Sequence, residues 1–185
     1  MPACAITDQA NVSALVKFHK LAFERGVKPI VGADVWIAES GEDRDPTRLT
    51  LLCQNRTGFK NLLKMASVAY LEGFYFKPRI DKELLTAFNE GLVCLSGCVS
   101  SEFSRALLRG HGSENELKEA MEVAGWFSKL FGDRYFIEIM NNGVEIQRLQ
   151  LQAATDVSRR LGIPLVATSD THYVDPDDAE AQDVM

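Results

Sequence analysis

The chain has 185 residues, of which 46% are hydrophobic and 25% charged, the balance of an ordinary globular protein most simply built as one domain over 1–185. A formal net charge of −6 argues against a segment that clamps nucleic acid on its own, since phosphate binding needs a basic stripe; a subdomain of a larger DNA-binding protein stays open. No apolar run approaches ~18 residues, so no membrane contact is expected. The N-terminus also lacks the basic-then-apolar pattern of a signal peptide, and a cytoplasmic location is expected.

The elements alternate from the start. Residues 3–7 read as a short apolar strand, followed by a helix from an Asn11 cap to about Arg25, with Val12, Leu15, Val16 and Phe18 toward the core and Gly26 closing it. Residues 29–38 read as a strand, 39–48 as a polar loop, 49–54 as a strand, and 58–71 as an amphipathic helix. A linking segment, 73–80, precedes a short helix near 81–88. The second half repeats the rhythm: strand 92–96, helix 100–108, a Gly-rich loop with Gly110 and Gly112, a helix 114–131 capped by Ser113, strand 135–140, helix 144–161 and strand 164–168. Asp175-Pro176-Asp177-Asp178 predicts a helix start, with a capping Asp, Pro in the first turn and acids at the positive dipole end. Six strands alternating with helices predict an α/β fold with a mainly parallel sheet, open or closed into a barrel. The chain opens directly on a strand and stops inside a helix, so both ends read as cut from a longer open reading frame.

Chemistry is expected at the strand tips, where β/α folds hold ligands. The apolar run ending at Thr168-Ser169-Asp170-Thr171-His172 is the most informative stretch. In an extended segment Asp170 and His172 point the same way, a pairing that suits a divalent metal or an acid–base pair. Asp8, after the first strand, is either a metal ligand or a helix cap. Asp34 is an acid within an apolar strand and needs a partner, for which Arg48 is a candidate. Cys98 ends its strand and either binds zinc as a thiolate or is a buried free thiol. The four cysteines, Cys4, Cys53, Cys94 and Cys98, lack Cys-x-x-Cys spacing, so reduced, buried thiols are expected. Glu138 lies within a strand, and Asn141-Asn142-Gly143 reads as a turn. His19 and His111 sit in a helix face and a Gly loop, away from the cluster. One imidazole and a few acids are a thin supply for a multinuclear metal centre. No phosphate loop, dinucleotide-binding turn or nucleophile elbow occurs.

Several blocks in this order and spacing carry a family resemblance: Thr7-Asp8-x-x-Asn11, Gly26-Val-Lys-Pro-Ile-Val-Gly32, Leu49-Thr-Leu-Leu-Cys53, Gly58-Phe-Lys-Asn-Leu62, Tyr70-Leu-Glu-Gly73, Gly91-Leu-Val-Cys-Leu-Ser-Gly-Cys98 and Ala167-Thr-Ser-Asp-Thr-His-Tyr173. Together they resemble the polymerase-and-histidinol-phosphatase (PHP) domain of bacterial replicative DNA polymerase III alpha subunits. The resemblance implies a distorted seven-stranded β/α barrel, TIM-like, with its first strand missing from this chain. It also implies a metal site at the strand tips, with zinc or manganese as the ions. Against metal-binding members, Asp8, Cys98, Asp170 and His172 match ligand positions. Gln9, Asp34, Arg48 and Asn142 stand where those members have His, Glu, His and His, and a His-x-His expected on the missing strand is not included. Losing three imidazoles should abolish tight binding, since even outer-shell changes cost ~10–100-fold.

The implied function is that of a scaffold and docking surface in a DNA polymerase. Its partners would be the rest of the alpha subunit, the proofreading exonuclease subunit, and DNA through the parent enzyme. The parent's nucleotidyl transfer would use magnesium held by carboxylates outside this chain. Two other readings are a metal-dependent phosphoesterase or 3′–5′ exonuclease built on Asp8, Cys98, Asp170 and His172, and a pure interaction module.

Overall fold

The computed structural model describes residues 1–38, 45–109 and 114–184. Most of the polar loop read at 39–48, the Gly110/Gly112 turn with His111, and the Ser113 cap lie outside the described residues. Among the described residues eight strands and seven α-helices follow one another as β1 (Ala3–Ile6), α1 (Leu15–Glu24), β2 (Lys28–Ile37), β3 (Thr47–Cys53), α2 (Arg56–Leu71), β4 (Phe74–Tyr75), β5 (Lys77–Ile80), α3 (Lys82–Phe88), β6 (Leu92–Leu95), α4 (Glu102–Leu108), α5 (Glu114–Phe131), β7 (Tyr135–Ile139), α6 (Glu145–Leu161), β8 (Leu165–Ala167) and α7 (Ala179–Asp183).

The strands form one sheet ordered β4-β5-β2-β3-β6-β7-β8, with β1 paired to the first half of β2. The fold is α/β, and the sheet is a curled half-barrel. Among the described residues β1, β4 and β8 are each paired on one side only. The expectation of a mainly parallel sheet is corrected. Pairs β1–β2, β2–β5, β6–β7 and β7–β8 are parallel, but β2–β3, β3–β6 and β4–β5 are antiparallel. The link from Ile37 to Thr47 is shorter than the dozen or so residues that a parallel crossover needs, so β3 must fold back on β2. Residues 73–80, read as a linker, form the β4–β5 hairpin. Two added short strands raise the count from six to eight.

Side chains fix the helix ends. Asn55, Asp81 and Ser101 cap α2, α3 and α4 by accepting from the N–H groups of Gly58, Leu84 and Ser104 at 3.0, 2.7 and 3.1 Å. Gly162, with φ of 66°, closes α6 in the left-handed conformation that glycine adopts without cost. Helix α1 departs from expectation. Asn11 caps no helix; its Oδ1 takes the Ser13 N–H at 2.9 Å in a turn that delays the helix to Leu15. No residue of α1 is fully buried, but Leu15 and Phe18 are half-buried as expected and Val12 packs on the core; Val16, 80% exposed, is the correction to the inward face.

The core lies between the sheet and helices α2, α4, α5 and α6. Leu51, Leu62, Met65, Leu85, Leu92, Ile137 and Val157 are fully buried there. Phe127 stacks on Tyr135 with ring centroids 5.6 Å apart, and Trp126 meets Phe127 edge-on at 4.9 Å. Of the four free cysteines only Cys94 is fully buried, so the expectation of uniformly buried thiols is narrowed. Among the described residues no helix is long and apolar enough to cross a membrane.

Candidate functional site

Arg48, near the start of β3, gathers acids from two other parts of the chain: Asp34 within β2 and Asp170 in the loop after β8. Arg48 lies opposite Trp36 in the β2–β3 register, and Asp34 lies opposite Thr50. Arg48 forms a salt bridge with Asp34 through both Nε, at 2.6 Å, and Nη2, while Thr50 Oγ1 donates to the other Asp34 oxygen at 3.0 Å. The Arg48 Nη1 atom also stands 3.8 Å from Asp170 Oδ2. On the far side of Asp170, Oδ1 meets His172 Nε2 at 3.4 Å.

Asp170 and His172 do come together, but not as two-apart residues of a strand. The strand β8 ends at Ala167, and Asp170 has φ of 48°. An Asp tolerates that left-handed conformation better than most residues. The turn that brings the pair together is a loop, tied by a hydrogen bond between Ser169 Oγ and Thr171 Oγ1 at 3.0 Å and by Asn142 Nδ2 donating to Ser169 O at 3.0 Å. The strand itself is not buried as the apolar run suggested. It pairs only with β7 among the described residues, and Leu165 and Ala167 are exposed.

Asp8 approaches this cluster through its backbone. Asp34 N–H donates to Asp8 O at 3.1 Å, and Ala10 N–H to Asp34 O at 2.7 Å, placing Gln9 beside Asp34. The Asp8 carboxylate turns to the entry of α1, where it accepts from Ala14 N–H at 3.4 Å. Cys98 follows β6 and is half-buried. Burial pushes its thiol up, the Val99 backbone N–H opposes this, and the nearby Glu138 and Asp170 charges push it further up. Among the described residues no group of three or more His, Cys, Asp or Glu side chains stands so as to hold a metal ion.

Sequence reasoning passed over one member of the site. Glu138 on β7 is 3% exposed and accepts from Thr168 Oγ1 at 2.5 Å, while its Oε2 has no hydrogen-bond partner among the described residues. Two buried side chains hold its backbone, and one of them is itself anchored to α4. Glu138 N–H donates to Ser96 Oγ at 3.0 Å, and Gln150 Nε2 donates to Glu138 O at 3.0 Å and to Ser104 Oγ at 3.3 Å. The signal was available: a carboxylate in an apolar strand, the same anomaly that drew attention to Asp34.

Burial dominates the charges. It pushes the Glu138 carboxyl up, against the Thr168 bond, and the neighbouring Asp34 and Asp170 add to the rise. Burial likewise pushes Asp34 up, with Arg48 and Thr50 pulling the other way. Arg48 is buried enough to disfavour its charge, but Asp34, Asp170 and Glu138 together hold it more firmly protonated. A carboxyl whose folded pKa is raised lends stability in acid and loses it as pH climbs through that raised value. Glu138→Gln is therefore expected to leave stability unchanged near pH 4 and to increase it at pH 7.5. Urea midpoints measured at both pH values check this, and a variant less stable at pH 7.5 would contradict it.

A profile of the PHP domain matches residues 1–142. The chain belongs to the PHP domain family. This PHP domain is 42% identical over 195 residues to DNA polymerase III subunit alpha of Thermus aquaticus, covering 100% of this chain and 15% of that protein. It is 37% identical over 193 residues to DNA polymerase III subunit alpha of Borreliella burgdorferi, again over 100% of this chain and 16% of the relative. The chain thus spans about a sixth of the length of these curated relatives. Among solved structures, one described as a metal-dependent phosphoesterase from Bifidobacterium adolescentis superposes with a TM-score of 0.55 at 8% identity, covering 98% of this PHP domain and 85% of that chain. At that identity the likeness concerns the fold.

Proposed function

We propose that this PHP domain is a scaffold and docking module of a replicative DNA polymerase III alpha subunit, with a degenerate metal site. The observation that carries the reading is the Arg48 guanidinium bonded to Asp34 and facing Asp170. A fixed cation already neutralises the carboxylates that a divalent ion would need. This donor set does not fit zinc or manganese, which want deprotonated thiolates, free imidazoles and uncommitted carboxylates. Asp8, Cys98, Asp170 and His172 are the remnants of such a site. The parent enzyme extends primers with magnesium held by carboxylates outside these residues, works in the cytoplasm, and brings this domain against the rest of its own chain, the proofreading exonuclease subunit and DNA.

The second reading is a metal-dependent phosphoesterase or 3′–5′ exonuclease. The Asp170–His172 contact at 3.4 Å favours it, because that pair retains a ligand's geometry. Elemental analysis of the intact polymerase, purified without chelator, separates the two. We expect the zinc and manganese content to be the same in the wild type and in a His172→Ala/Asp170→Ala variant. Stoichiometric zinc or manganese that disappears in the variant, together with lost phosphodiester hydrolysis, would replace the scaffold reading with the catalytic one.

A further inference from the structure

We propose that the exposed face of α2, continued by the β4–β5 hairpin, is a binding surface for single-stranded DNA. Helix α2 carries Arg56, Lys60 and Lys64 and no acidic residue, in a chain whose net charge is −6. The three cations recur every four residues, so they line one stripe with a rise of about 6 Å between neighbours, close to the step between successive phosphates of an extended strand. All three are exposed, and none makes an ion pair among the described residues. Leu62, Met65 and Ala69 occupy the opposite, buried face.

The stripe runs into aromatic rings. Tyr70 shares the exposed side of α2 and stacks on Phe74 of the hairpin, with ring centroids 6.4 Å apart. Phe76 sits alone at the hairpin tip between the paired residues Tyr75 and Lys77, and is 82% exposed. Its φ is 58°, a left-handed conformation that is a real outlier for so bulky a residue. The Tyr75 ring braces Phe76 edge-on at 4.7 Å, and the Arg79 guanidinium lies 5.1 Å from the Tyr75 ring on its face. Lys77 leans over Trp36 at 3.7 Å. A strained backbone thus holds an apolar ring out into water, where it gains nothing from burial. Cations in phosphate step next to exposed ring faces are the two components of a sequence-tolerant single-strand site: the cations track the backbone and the rings stack the bases. The acidic net charge describes the whole chain. The charge on this face has the opposite sign.

The inference rests on the polymerase reading for the source of the strand, and it can fail separately from that reading. The test uses the intact polypeptide that carries this sequence and an oligothymidylate substituted with 5-iododeoxyuridine. Photo-crosslinking followed by peptide mapping should attach the oligonucleotide to Tyr70, Phe74 or Phe76. Three phosphate contacts on a single strand contribute about −2 to the slope of log affinity against log salt. Arg56→Ala/Lys60→Ala/Lys64→Ala should flatten the slope by about that amount, and Phe76→Ala should weaken binding about tenfold. Crosslinks confined to other peptides with an unchanged slope would overturn the proposal. So would finding the Lys60 and Lys64 amines already shielded from acetylation in the DNA-free polypeptide, which would make it a seat for protein, or finding that the variants lose only duplex binding. Primer extension by the same preparation reports on the polymerase reading independently.

Discussion

Replacing Arg48 with alanine is expected to cost this domain about 3 kcal/mol at neutral pH, because removing one member of a buried pair strands the other charge. Asp34 would keep its burial and its Thr50 bond but lose the guanidinium, which is the strongest influence opposing burial at that carboxyl. Asp34 would then take up a proton more readily. The loss should shrink on acidification, since a carboxyl with a raised pKa lends its stability in acid. Adding Asp34→Asn to the Arg48→Ala chain should recover most of it. A lysine at position 48 cannot form the forked contact and should recover only part. Urea denaturation of the single and double variants gives the coupling energy directly. Strictly additive effects, or a single-variant loss below about 0.5 kcal/mol, would mean that the pair is an incidental surface contact of the kind that contributes little.

Gly58→Ala is the second large effect, and here the sign of a simple rule reverses. Alanine in place of glycine inside a helix ordinarily gains about 1 kcal/mol. At position 58 the added Cβ would lie 1.8 Å from the carbonyl oxygen of Gly91 and 2.4 Å from its carbon, both backbone atoms that cannot swing aside. The reciprocal contact is as close. A Cβ on Gly91 would lie 2.4 Å from Asn55 Oδ1, the atom that caps α2, and Gly91 has φ of 70°. Helix α2 is thereby locked against the turn before β6. Forcing the two apart would break the Asn55 cap, worth about 1 kcal/mol, and open the core around Leu62 and Leu92. A net loss of about 3 kcal/mol or more is expected, seen as a lowered thermal midpoint. A variant as stable as the wild type would show that the helix and the turn can slide apart freely.

The same two places mark how far the sequence could be read. The Gly58 and Gly91 blocks were legible as part of a collinear family pattern, but nothing in the string says that the two glycines touch across the 32 residues between them. Helices were legible wherever local signals agreed. Their apolar periodicity was enough; the caps Asn55, Asp81, Ser101 and Gly162 were not named in advance, although each acts on a backbone group only a few residues away. The read failed at α1, where Asn11 had two local uses and the turn won. It failed at β4–β5 because strands of 2 and 4 residues show no period, and their pairing depends on each other and on β2.

At the candidate site, local sequence supplied the ingredients. Asp34, Arg48, Cys98, Asp170 and His172 could be named in advance, and Arg48 could be suspected as the partner of Asp34, because a charge inside an apolar strand has to be answered by another. The sequence by itself thus determined the α/β rhythm, the helix ends and the residue types at the strand tips, all consequences of interactions that span a few residues. Only the tertiary structure decided the mixed pairing of the sheet, the left-handed turn that joins Asp170 to His172, and the recruitment of Glu138 and Thr168 to the same cluster. The sheet pairing, the Asn142–Ser169 bond that ties the turn and the Glu138–Thr168 contact join residues distant in the chain, 27 and 30 apart in the last two, and such meetings are set by packing the whole sheet against its helices, which no local pattern encodes.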